Sequence, residues 1–196
     1  TYLSGKYGVT QTGFEAYIAE LQSLSARVRV PHEAAAVAAA RHYGATLASH
    51  DDSTADQLAA SAAHGVTLAD FPTTAEAAQA CRTSGIGVIM GAPNLVRGAS
   101  HSGNVAAGDL ARDGLLDILS SDYVPAALLL GAVQLGQLWG DMARGLATVT
   151  AAPAGYAHQD DRGELATGKR ADLIRFGLTD GVPGLRAVWS HGARVG

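Results

Sequence analysis

His50 and Asp122 are the residues of this chain whose types and positions best suit them to chemistry. Each closes a short apolar run. Ala45-Thr46-Leu47-Ala48-Ser49 leads into His50-Asp51-Asp52, and Leu115-Leu116-Asp117-Ile118-Leu119 leads into Ser120-Ser121-Asp122. An imidazole and a carboxylate delivered from separate strands can converge on one divalent ion, for which both are ordinary ligands. A strand-end histidine can equally do no more than cap a loop. Asp51 and Asp52 also carry two readings. They orient His50 as outer partners, or they are acids that favour the N-terminus of the following helix. Asp70 ends a third apolar run, Val66-Thr67-Leu68-Ala69.

A second group follows Met90. Asn94, Arg97, His101, Ser102 and Asn104 lie in a polar stretch punctuated by Gly91, Gly98 and Gly103. Glycines let a backbone approach a ligand closely, and an arginine can clamp phosphate oxygens with two parallel N–H groups. The stretch is expected to be a long loop that enters a helix near Val105, where free amides could face an anion. Its composition is also that of a plain solvated loop. The remaining histidines point to less. His64 stands before Gly65 as a helix C-terminal cation, and His32 and His42 are ten positions apart, which is not metal spacing. Cys81 falls inside a helix with no base suggested for it, so inert packing is expected.

These residues need elements to place them. Phe14, Tyr17, Ile18, Leu21, Leu24 and Val28 recur at steps of three and four, the spacing of one helix face. Pro31 predicts the end of that helix. A second helix is expected from His32 to Tyr43, stopped by Gly44. Strands are expected near 45–49, 66–69, 86–90 and 115–119, with helices between them. Thr73-Thr74-Ala75-Glu76 has the form of a capping box, and Pro125 is expected to open a helix reaching about Leu138. Alternating strands and helices imply parallel βα units. A closed (β/α)8 barrel needs eight units and roughly 250 residues; four units amount to half of one. In such barrels reactive residues sit just past the C-terminal strand ends, and every candidate strand here delivers a polar group there. After about Ala151 the pattern becomes all-β, with a hairpin around Ser190-His191-Gly192. The expected division is therefore 1–150 for barrel units and 151–196 for a small β-sandwich piece.

Composition narrows the partners. The formal net charge is −4 over 196 residues, which argues against a general nucleic-acid surface. A single cysteine excludes an intrachain disulfide and a cysteine zinc cluster and fits a reducing compartment. No apolar run reaches the roughly 18–20 residues that span a bilayer, and Thr1-Tyr2-Leu3-Ser4-Gly5-Lys6 lacks the form of a signal peptide. A cytoplasmic protein without a membrane partner is expected. Aromatic residues make up only 6% of the chain, so the core should be aliphatic and alanine-rich.

Four segments carry a resemblance. They are Leu47-Ala48-Ser49-His50-Asp51-Asp52, then Ala69-Asp70-Phe71-Pro72-Thr73-Thr74-Ala75-Glu76-Ala77-Ala78, then the run from Met90 to Val105, then the run from Leu115 to Ala126. Together they resemble the PhnM family of the amidohydrolase superfamily, from the carbon–phosphorus lyase pathway. Gly168-Lys169-Arg170-Ala171-Asp172-Leu173 is similar to the β-sandwich strand that many amidohydrolases carry beside the barrel. The resemblance covers essentially the whole chain but only the C-terminal half of the family's protein. It implies an α/β fold, half of a (β/α)8 TIM-like barrel with strands of a small β-sandwich. It implies a phosphorylated ribose as substrate: α-D-ribose 1-methylphosphonate 5-triphosphate, cleaved to the 5-phosphate and diphosphate. The implied cofactor is a divalent metal ion, zinc or manganese. His50 and Asp122 would be ligands, and Asp122 would also take the proton of the attacking water. Asn94, Arg97, His101, Ser102 and Asn104 would bind substrate. The family's histidine motif after the first barrel strand has no counterpart here, and Asp70 stands where a glutamate is expected. Two other readings remain open: a C–N hydrolase of the same superfamily, and a fragment inactive without an N-terminal half or a second copy.

Overall fold

The computed structural model describes residues 10–100 and 102–196. The chain divides into two compact units, one ending at Ala45 and one running from Thr46 to Gly196. The first holds α1 (Gln11–Tyr43), one continuous helix of 33 residues with Pro31 inside it. The break expected at Pro31 does not occur. Proline removes a single donor and crowds one carbonyl; the alanine-rich turns that follow it are strong enough helix formers to carry the helix through. The expected ends are present. Thr10 accepts a hydrogen bond from Gly13 N at 3.2 Å, and Gly44 closes the helix with φ 63°.

The second unit contains four parallel strands in the order β1-β2-β3-β4: Ala48–His50, Leu68–Asp70, Gly87–Gly91 and Ile118–Ser120. Each starts one to three residues later than the apolar runs suggested, so His50 and Asp70 are the last residues of their strands. Between them lie α2 (Ala55–Ala63), α3 (Ala75–Ser84), α4 (Ala92–Arg97) and α5 (Ala107–Arg112). After β4 come α6 (Ala127–Trp139) and two short helices that periodicity did not reveal, α7 (Met142–Ala147) and α8 (Ala151–Tyr156). A three-stranded antiparallel sheet follows: β5 (Leu173–Thr179), β6 (Val182–Ser190) and β7 (Ala193–Arg194). The hairpin expected at His191-Gly192 forms. A second one turns at Asp180-Gly181, both residues at positive φ, which is the dipeptide a tight hairpin favours.

Register sorts the strand side chains onto two faces. Ser49, Ala69 and Val88 are paired across three strands, as are Met90 and Leu119 across two. Ala69, Val88, Met90 and Leu119 pack with Leu58, Ala77, Cys81, Leu110 and Leu135 in one buried aliphatic cluster beneath the helices. Side chains alternate along a strand, so the row His50, Asp70, Ile89, Ile118 faces the other way. The fold is thus an α/β layer of parallel βα units plus a small antiparallel sheet.

Candidate functional site

His50 and Asp70 are direct cross-strand partners on the face turned away from the helices. The imidazole is held from one side. Its Nδ1 lies 3.0 Å from Asp51 Oδ2, and its Nε2 lies 3.7 Å from Asp70 Oδ2. The first is an ion-pair contact between exposed side chains. The second is too long for a hydrogen bond. It is close to the separation of two donors sharing one ion at about 2.0–2.2 Å each. Burial pushes the Asp70 carboxyl above its usual range; His50 pulls it back, while Asp122 and Asp51 push it further up. Asp51 and Asp70 therefore flank the imidazole, and Asp122 lies close enough to act on Asp70.

Asp122 reaches this place because Gly91 makes room for it. A Cβ on Gly91 would stand 2.8 Å from Asp122 Oδ2 and 3.2 Å from its Cβ. Gly91 and Ser120 are paired in the row beyond Ile89 and Ile118. Three residues just past the strand ends, Asp51, Phe71 and Asp122, hold positive φ of 60°, 63° and 48°. Such backbone is uncommon outside glycine and costs free energy, most of all for a bulky side chain such as Phe71. Its repetition at β1, β2 and β4 turns the chain sharply over one rim. The result is a cleft of about 330 Å³ lined by His50, Asp51, Asp70, Phe71, Gly91, Ser102, Asn104, Ser120 and Asp122.

The residues read from sequence fall into several groups. His50, Asp51, Asp70, Asp122, Ser102 and Asn104 meet in the cleft. Asp51 Oδ2 lies beside His50 Nδ1 and outside the first turn of α2. The first-turn acid of α2 is Asp56, and its cap is Thr54, boxed with Gln57. Asp52 is buried at 9% exposure; its carbonyl accepts from Thr73 N at 2.9 Å, and its Oδ2 has no hydrogen-bond partner among the described residues. It does not line the cleft. The long loop expected after Met90 is a helix for its first six residues, α4. Asn94 is buried in it, its Oδ1 accepting from Ala107 N at 2.8 Å, so it joins α4 to α5 away from the cleft. Arg97 ends α4 and donates from Nη1 to the Tyr123 hydroxyl at 3.0 Å, beside Asp122. His101 lies outside the described residues. Sequence reasoning missed Phe71, Ser120 and Tyr123, while Gly91 was already marked as a glycine that permits close approach.

An imidazole with one nitrogen beside a carboxylate, facing further carboxylates, is the donor chemistry of a divalent ion. His50 and Asp122 fit as ligands of that kind. Among the described residues, however, no three His, Cys, Asp or Glu side chains form a group able to hold an ion.

No protein-family model matches the chain. The alpha-D-ribose 1-methylphosphonate 5-triphosphate diphosphatase of Escherichia coli strain K12 is 44% identical over 197 residues, 99% of this chain and 52% of that protein. The chain is a homologue of that diphosphatase and spans about half its length. Among solved structures, an amidohydrolase from Thermotoga maritima MSB8 aligns with a TM-score of 0.60 at 19% identity, over 78% of this chain and 43% of its own. Molinate hydrolase aligns with a TM-score of 0.59 at 15% identity, over 81% of this chain and 44% of its own. These likenesses establish the fold: parallel βα units followed by a small antiparallel sheet, as in part of each of those two chains.

Proposed function

We propose that this chain forms the Asp122-bearing half of a hydrolase that releases diphosphate from α-D-ribose 1-methylphosphonate 5-triphosphate. The observation carrying the proposal is the 44% identity over 99% of the chain to a diphosphatase of that substrate. The cleft supports it with the right chemical groups at the matching segments. Asp122 stands at the cleft with its carboxylate beside Gly91 and takes the proton of the attacking water. Asp51 pairs with the His50 ring. Ser102 and Asn104, which also line the cleft, hold oxygens of the substrate. Arg97, braced on Tyr123 next to Asp122, supplies positive charge toward the phosphate chain. A divalent zinc or manganese ion held by His50 and Asp122 would acidify water and neutralise phosphate charge. The arginine favours this reading over a C–N hydrolase, whose neutral ring substrates need no guanidinium there.

The test joins the N-terminal part of the Escherichia coli diphosphatase to this chain and measures diphosphate release. Asp122→Asn should lower the rate by about 10²–10⁴. Arg97→Ala should cost roughly ten- to a hundredfold, the loss of one charge-assisted phosphate contact, while Arg194→Ala on β7 should leave the rate unchanged. Equal effects of the two arginine substitutions would remove Arg97 from the site. A joined, folded protein that cleaves amides but not the triphosphate would replace the reading altogether.

A further inference from the structure

A second cavity, of about 280 Å³, opens at the other end of the parallel sheet. Its walls include Arg82, Gly114 and Asp117, which precede β3 and β4, whereas the His50–Asp122 cleft lies past the strands' C-terminal ends. Its polar groups are fixed in place. Arg82 Nη2 donates to Gly114 O at 2.8 Å and to Asp117 Oδ1 at 3.0 Å. Asp117 Oδ2 accepts from Val88 N at 2.9 Å. Both oxygens of the cavity's one carboxylate are thus engaged.

Arg144 completes the wall. Its guanidinium carbon sits 3.9 Å from the centroid of the Trp139 ring. The indole is itself anchored, its Nε1 donating to Ala111 O at 3.0 Å. The adjacent acid, Asp141, is tied by its Oδ1 to Arg144 N as the cap of α7. A guanidinium held over an aromatic face by its carbon leaves N–H donors for a ligand, and these match a phosphate or carboxylate fork. Two arginines against one carboxylate leave the cavity with a net positive charge. The volume decides the size of ligand. At about 280 Å³ it lies at the lower limit of small-molecule sites, which run from about 300 to 1,000 Å³. A nucleotide is too large, while a phosphoryl group with a few carbons fits.

We propose that this cavity binds a small phosphate-type oxyanion between Arg82 and Arg144, at a site separate from the His50–Asp122 cleft. The experiment uses the 196-residue chain with Trp189→Phe, so that Trp139 alone reports. Inorganic phosphate is titrated at constant ionic strength, with chloride as the compensating anion, and fluorescence is followed. A saturable change is expected. Arg144→Gln should weaken it by about tenfold or more. Arg97→Gln, at the other end of the sheet, should leave it as in the parent. If Arg144→Gln does not fold, Arg144→Lys serves: it keeps the charge but loses the planar fork, and should bind several-fold more weakly. A linear response without saturation, or equal affinity in parent and Arg144 variants, would overturn the proposal. A loss caused by Arg97→Gln would do the same, because the signal would then come from the other cleft.

Discussion

Cys81 shows at the residue scale how placement decides chemistry. The thiol is fully buried in the aliphatic cluster of α3, and burial, with Asp52 adding to it, pushes its pKa from 9.0 up to about 11. Thiolate is the reactive form, so native Cys81 should resist alkylation at pH 8 while the urea-unfolded chain reacts readily. The same shift has a stability consequence. The folded chain keeps the thiol proton to higher pH than the unfolded chain. Stability is therefore unaffected below pH 9 and falls as pH rises through 9 toward 11. The full effect is on the order of 2 kcal/mol. Cys81→Ala lacks this dependence, so urea midpoints of parent and variant should converge between pH 9 and 10.5; parallel curves would contradict it. Among the cleft residues, those at or just past strand ends were the most directly legible. His50, Asp70 and Asp122 were readable because alternation and strand ends place them without knowledge of distant contacts. Asn94 and Asp52 were not, because their roles depend on Ala107 and Thr73, which only the folded chain brings near.

Elements were readable where periodicity is local and misread where packing decides. The parallel strands and α2, α3 and α6 follow from alternation, caps and helical spacing. The capping of α3 was read one residue early: Thr74, not Thr73, accepts from Ala77 N at 3.0 Å. Thr73 instead meets Ser53 Oγ at 2.6 Å, and Glu76 accepts from Ala55 N at 3.3 Å, both contacts with the preceding unit. The short helices α7 and α8 are too brief to show a period, and α7 is fixed by contact with α6. There the two backbones nearly touch. A Cβ on Gly145 would lie 2.4 Å from Gly136 N and 2.5 Å from Ala132 O. Backbone cannot yield as a flexible side chain can. Gly145→Ala should therefore destabilise the chain by about 2–3 kcal/mol, lowering the thermal midpoint by roughly 4–12 °C. Gly155 in α8 has nothing within 4 Å of its would-be Cβ, and Gly155→Ala should be neutral or slightly stabilising. Similar losses at both positions would mean that helix propensity rather than close approach governs α7.

At the scale of the whole molecule, two features bear on what the 196-residue chain can do alone. The first is the sheet. Among the described residues β1 and β4 each pair on one side only, whereas a closed barrel has no edge. Unpaired strand edges favour association with another chain. All-parallel sheets are normally covered on both faces. Here helices cover the face of Ala69, Val88 and Met90, and the opposite row carries His50 and Asp70 toward the cleft. The second feature is the donor set. A catalytic zinc ion usually takes three protein ligands, and the cleft offers His50 with carboxylates that do not close into a group of three. The two features are coupled, because strands that closed such a sheet into a barrel would also be places from which further ligands could come. We therefore expect the 196-residue chain by itself to bind zinc or manganese weakly and to release no diphosphate from the ribose triphosphate. Adding the N-terminal part of the Escherichia coli diphosphatase, joined or as a separate chain, should raise both metal affinity and turnover. The measurement is diphosphate release by the purified chain of verified mass, with and without that addition, at matched metal concentration. Turnover by the lone chain equal to that of the joined protein would show that four βα units suffice and that the metal is held elsewhere than at His50 and Asp122.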